Sequence, residues 1–168
     1  MANHKNRIKY KYAPLENGAF YFPTDNGFNF VVDIFHGEYM LWQSDYLLAH
    51  DSMYAIEFER SPDMPGVPEI SFDRETCDTI LKIISSKIES NGEYCVYYHH
   101  WVENPHCEDL YATFYDELEG AIPEFEAFEY PWRDDLGNDR ILSVFINKNN
   151  PDKDTIVGEF LKVVQGSN

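Results

Sequence analysis

Much about this 168-residue chain is settled by what it lacks. It has only three cysteines, Cys77, Cys95 and Cys107, an odd number with no Cys-x-x-Cys spacing. That rules out a disulfide framework and points to a reducing compartment, the cytoplasm. No apolar run approaches the ~20 residues needed to cross a bilayer, so no membrane association is expected. The opening stretch, Met1 to Tyr12, has no apolar centre and does not read as a signal peptide. The nine glycines are scattered, with neither GxGxxG nor GxxxxGK[ST], which argues against a phosphate-cradling loop. No serine lies in a Gly-x-Ser-x-Gly elbow, the strained turn that presents an acyl-transfer nucleophile. None of these patterns calls for a cofactor.

Positive charge is the other scarcity. Thirteen bases face thirty acids, giving a formal net charge of -17. From Tyr12 to Glu59 there is no Lys or Arg but eight acids, and from Ile88 to Trp132 there are eleven acids and again no base. The first eleven residues are the reverse, with Lys5, Arg7, Lys9 and Lys11 and no acid. An acidic body repels nucleic-acid phosphate and anionic lipid, so neither is expected as a partner. A basic protein surface is the partner this charge favours.

Aromatic residues are plentiful, at 16% of the chain. Twelve Phe, twelve Tyr and three Trp supply enough apolar area for a core without metal or disulfide staples. The pattern predicts an α+β fold in a single two-layer domain over residues 9–165, behind a flexible basic tail of residues 1–8. An N-terminal antiparallel meander comes first. Its strands are expected at Lys9 to Tyr12, at Ala19 to Phe22, at Phe28 to Phe35 after the Asn26-Gly27 turn, at Tyr39 to Gln43 and at Met53 to Phe58. Ser61 to Pro68, with three prolines, is a loop. A helix–strand–helix–strand–helix series follows. Asp73 caps a helix whose Cys77, Ile80, Leu81, Ile84 and Ile88 share a face, and Asn91-Gly92 ends it. Tyr94 to Trp101 is a strand. Glu108 to Glu119 is a helix stopped at Gly120, and Phe125 to Tyr130 is a strand. Ile141 to Ile146, apolar on both faces, reads as a central strand. Asn150 and Pro151 open a last helix with Ile156, Val157, Phe160, Leu161 and Val164 on its buried stripe.

This order resembles a small bacterial domain-of-unknown-function family, seen mainly in Bacteroidetes. The residues carrying the resemblance are the Phe20 to Gly27 hairpin, the Ile-rich helix, the Tyr/Val strand at Glu93 to Tyr98, the Leu110 to Tyr115 segment and the closing strand and helix. It covers roughly residues 10 to 164. The chain departs from the family in having no Arg between Lys87 and Arg133. The resemblance implies the fold order and no activity.

Two constellations stand out. His99, His100, His106, Cys107 and Asp109 fall within eleven residues and form a candidate metal or polar site. On a strand, His99 and His100 point to opposite faces, so only one of them can join the loop residues around a single ion. The spacing lacks the paired CxxC or HxxxH ligands of common zinc sites. The second constellation sets aromatics among acids: Trp42 and Tyr46 in one segment, Phe128, Tyr130 and Trp132 in another. Such rings are either anchors of a protein-binding surface with an acidic rim or the lining of a second, smaller core. Together these features favour an interaction, inhibitor or immunity-type module that binds a basic partner. A metal- or His/carboxylate-dependent enzyme centred on His99 to Asp109 is the alternative.

Overall fold

A computed structural model describes residues 10–25, 27–37, 52–61, 74–102, 116–137 and 139–166. The described strands are β1 (Ala13–Pro14), β2 (Phe20–Pro23), β3 (Asn29–His36), β4 (Met53–Ser61), β5 (Val96–Val102), β6 (Phe125–Arg133) and β7 (Asp139–Asn147). The helices are α1 (Arg74–Ser90), α2 (residues 116–121) and α3 (Lys153–Gly166). The strands form one sheet in the order β1-β2-β3-β4-β5-β7-β6. Every neighbouring pair is antiparallel except β4–β5, which is parallel and is bridged by α1. The fold is therefore mixed α+β with an N-terminal meander, as the sequence predicts. No helix among the described residues is long and apolar enough to cross a membrane.

Local chemistry explains the turns. In the β2–β3 hairpin the Thr24 amide and hydroxyl both donate to the Phe28 carbonyl at 2.8 Å. Gly27 closes that turn at φ +83°, a conformation that a side chain would strain. The β6–β7 turn is built on Asp134, whose Oδ1 accepts the Leu136 amide at 3.0 Å and whose Oδ2 accepts Arg140 Nε at 2.6 Å. At the start of α3, Asn150 Oδ1 accepts the Asp152 amide at 2.9 Å. The Asn150 Nδ2 donates to the Tyr94 carbonyl at 3.2 Å, so the cap also ties α3 to the approach to β5.

The core has two parts, one on each face of the sheet. Under α1 and α2 lie Phe22, Phe30, Val32, Ile34, Ile56, Tyr97, Phe125 and Phe145, packed on Ile80, Ile83, Ile84, Ile88, Leu118 and Ile122. Under α3 lie Met53, Ala55, Val96, Tyr98, Leu142, Val144 and Ile146, packed on Ile156, Phe160 and Val164. Each fully buried Ile or Phe contributes about 1.5–3 kcal/mol. Because α3 covers the face opposite α1, the expected two layers become three over the C-terminal strands. β7 is apolar on both faces, and each face needs its own cover. β7 lies between β5 and β6, as its apolar faces require.

Some boundaries differ from expectation. The first described strand is Ala13–Pro14, just after the predicted one, although Tyr10 is buried and stacks on Phe22 at 6.0 Å between ring centroids. Gly120 does not stop α2: the helix includes Ala121, and the Ile122 amide still reaches the Leu118 carbonyl at 3.0 Å. A glycine inside a helix costs only about 1 kcal/mol, less than the burial of Leu118 and Ile122 returns. Leu161 lies on the flank of the α3 stripe and is 41% exposed. Residues 1–9, Tyr39 to Gln43, Pro62 to Pro68, Asp73 and the Glu108 to Tyr115 part of the second predicted helix lie outside the described residues.

Candidate functional site

β5, β7 and β6 are adjacent, and their registers align residues across all three. His99 stands directly opposite Ser143, and Ser143 stands directly opposite Glu129. Directly paired residues share a face, with Cβ atoms about 4.5–5.5 Å apart. The row lies on the α1 side, between the Tyr97–Phe145–Ala127 row and Ile141 with Pro131. His99 and Ser143 are buried, while Glu129 reaches solvent at the sheet edge. A buried imidazole and hydroxyl in an apolar layer carry a desolvation penalty.

The carboxylate end of the row is crowded. Burial first, then the charges of Asp116 and Glu119 on α2, raise the Glu129 pKa above the ordinary carboxylate range. Glu119 turns its Oε1 to the Ala127 amide at 2.7 Å. Glu117, on the same helix, is engaged by Arg74 at the start of α1.

The chemical capacity of the row follows from its order. A nucleophilic triad places histidine between the acid and the serine, so that one ring nitrogen meets each. Here Ser143 is in the middle. The row is therefore a polar alignment set by strand register and does not have the order of a triad. Among the described residues, no three or more His, Cys, Asp or Glu side chains are grouped to hold a metal ion. His100 follows His99 on β5 and pairs with Leu142. His106, Cys107 and Asp109 lie outside the described residues. Cys95, just before β5, has its thiol pKa raised by burial, which keeps it protonated and weakly nucleophilic.

The opposite face of β6 brings Phe128, Tyr130 and Trp132 together at alternate positions. All three pack on the α3 side. The Tyr130 hydroxyl donates to the Val157 carbonyl at 3.2 Å, and burial lifts its pKa to about 12. The rings thus belong to the second core, and Tyr130 and Trp132 also line the surface beside it. Trp42 and Tyr46 lie outside the described residues. Beside the rings the surface opens into a groove of about 330 Å³, lined by Glu129, Tyr130, Pro131, Trp132, Leu161, Val164 and Gln165. Leu161 forms an apolar wall facing water.

Sequence reasoning did not foresee where Ser143 and Glu119 are placed, nor the exposed side of Leu161. Ser143 carried a usable signal, as the one hydroxyl in an otherwise apolar strand interior. Glu119 carried none, because its partner is a backbone amide eight residues on.

The chain was compared with protein-family models, curated proteins and solved structures, and it matches none of them.

Proposed function

We propose that this chain is a protein-binding module for a basic partner, acting as an inhibitor- or immunity-type factor in the cytoplasm. The observation that carries this reading is the groove between β6 and α3, where Tyr130, Trp132, Leu161 and Val164 present apolar walls beside Glu129. An aromatic-lined cleft on an acidic protein suits an apolar side chain flanked by Lys or Arg. The charge balance adds support. Arg74, Arg133, Arg140, Lys153 and Lys162 are each engaged by a carboxylate of the same chain, so their positive charge is locally offset. What remains attracts cations over long range and speeds association at low salt.

The test is capture of partners by wild type and by Leu161→Asp, at low and high salt. The reading expects basic proteins retained by wild type at low salt, released at high salt and absent from the variant. Partners that are equally retained by the variant, or are indifferent to salt, refute it.

The His99–Ser143–Glu129 row favours a second reading, a His/carboxylate-dependent enzyme. Metal content of the purified protein, together with the phenotype of His99→Asn, separates the two. Stoichiometric metal, or a phenotype from His99→Asn without loss of stability, favours catalysis.

A further inference from the structure

Among the described residues β6 is an edge strand, and its outward side is partly closed by its own chain. Its register with β7 is unbroken from Phe125 to Arg133, so successive amides alternate between facing β7 and facing away. The Ala127 amide faces away, because it donates to Glu119 Oε1 at 2.7 Å. Phe125, Glu129, Pro131 and Arg133 therefore share its outward parity. The Phe125 amide donates to the Ile122 carbonyl at 3.0 Å. Pro131 has no amide hydrogen to offer, and an edge strand is where such a residue is tolerated. The segment from Glu119 to Ile122 thus occupies two outward donors, and proline deletes a third. The other edge among the described strands is β1, two residues long and ending in Pro14, too short to template a partner strand.

We propose that Glu119 is a gatekeeper that keeps β6 from pairing with a second copy of this chain. The occupant follows from register. In a two-fold antiparallel pairing centred on Ala127, each Ala127 meets its counterpart and each Glu129 stands opposite the other copy's Phe125. No two strand carboxylates then face one another, so the β6 sequence itself permits the pairing. The Phe125 amide, held by the Ile122 carbonyl, stays out of such a ladder, which leaves the Ala127 and Glu129 amides as its donors, and the obstacle at its centre is Glu119. One carboxylate from each copy would fall at the centre of the new ladder, competing for the Ala127 amide and repelling its counterpart. The proposal is independent of the groove, which lies on the α3 face and not along the edge.

The test removes the gate and then removes the edge donor. Glu119→Ala is expected to associate with rising concentration, its light-scattering mass doubling relative to wild type measured alongside. Adding Ala127→Pro abolishes the outward amide without touching a β6–β7 hydrogen bond, as Pro131 does four residues on. Glu119→Ala/Ala127→Pro is therefore expected to return to the wild-type mass. A Glu119→Ala protein that folds and keeps the wild-type mass overturns the proposal. So does association that survives in the double variant, since it would arise elsewhere. Wild type supplies a readout that needs no variant: the Ala127 amide is expected to be protected from hydrogen exchange although it faces away from β7. Rapid exchange there overturns the proposal as well.

Discussion

Replacing Gly37 by Ala tests how tightly the α3-side core is closed. Gly37 follows β3, and its amide donates to the Met53 carbonyl at 3.1 Å. The Tyr98 hydroxyl donates to the Gly37 carbonyl at 2.9 Å. A Cβ built on Gly37 falls 2.3 Å from Tyr98 Oη and 2.8 Å from its Cε1 and Cζ. Carbon–carbon contacts are favourable only at about 3.5–4.0 Å, so the ring must move by about 1 Å. It has little room. Tyr98 is 1% exposed and packs on Phe160 with ring centroids 5.8 Å apart. Overpacking of this kind costs about 1–3 kcal/mol, and losing the buried hydrogen bond adds about 1 kcal/mol. The sum, about 2–4 kcal/mol, corresponds to a fall in Tm of roughly 5–15 °C for a chain of this size. Thermal unfolding of Gly37→Ala, Tyr98→Leu and the double variant forms a cycle that isolates the contact. Gly37→Ala is expected to cost much less when Tyr98 is already gone. A change in Tm under about 1 °C, or an equal penalty in both backgrounds, would refute the steric argument.

Three further outcomes follow from the same structure. The Glu129 carboxyl has a raised pKa and takes up a proton more readily folded than unfolded. Stability therefore grows as pH falls through the folded value and levels off below the unfolded one, near about 4.3. Glu129→Gln should raise Tm by about 1 °C at pH 7, a small gain for an exposed group, and the gain should vanish in acid. Asn150→Ala removes the α3 cap and leaves the Tyr94 carbonyl without its donor, for an expected loss of about 1–2 kcal/mol in urea unfolding. Ile84→Ala, at a position fully buried between α1 and the sheet, should cost about 2–4 kcal/mol while leaving partner capture by the folded fraction unchanged.

Residue patterns announced the elements far better than they announced their neighbours. The apolar run in β7 marked a central strand because a strand covered on both sides has no wet face. Gly27 and Asn150 were legible because positive φ and helix capping are demands met within a few residues. Gly120 misled because a glycine penalty is small against the burial of Leu118 and Ile122. Leu161 misled for another reason. Helical periodicity defines a stripe but not the width of the surface beneath it. The candidate site was the least legible. His99 stood out by type, yet its opposition to Ser143 depends on a register between strands more than forty residues apart. Nothing local to either residue encodes that.

The parallel contact between β4 and β5 spans only Met53 to Ala55 against Val96 to Tyr98. Every other junction among the longer strands is antiparallel and holds four or more pairs. The sheet therefore has a hinge line down its middle, with a meander on one side and the β5–β7–β6 block, its edge latched by α2, on the other. Main-chain bonding across that line is slight. Side chains add to the continuity there: Ile56 of β4 and Tyr97 of β5 belong to one buried cluster with Ile80, Ile83 and Ile84 of α1.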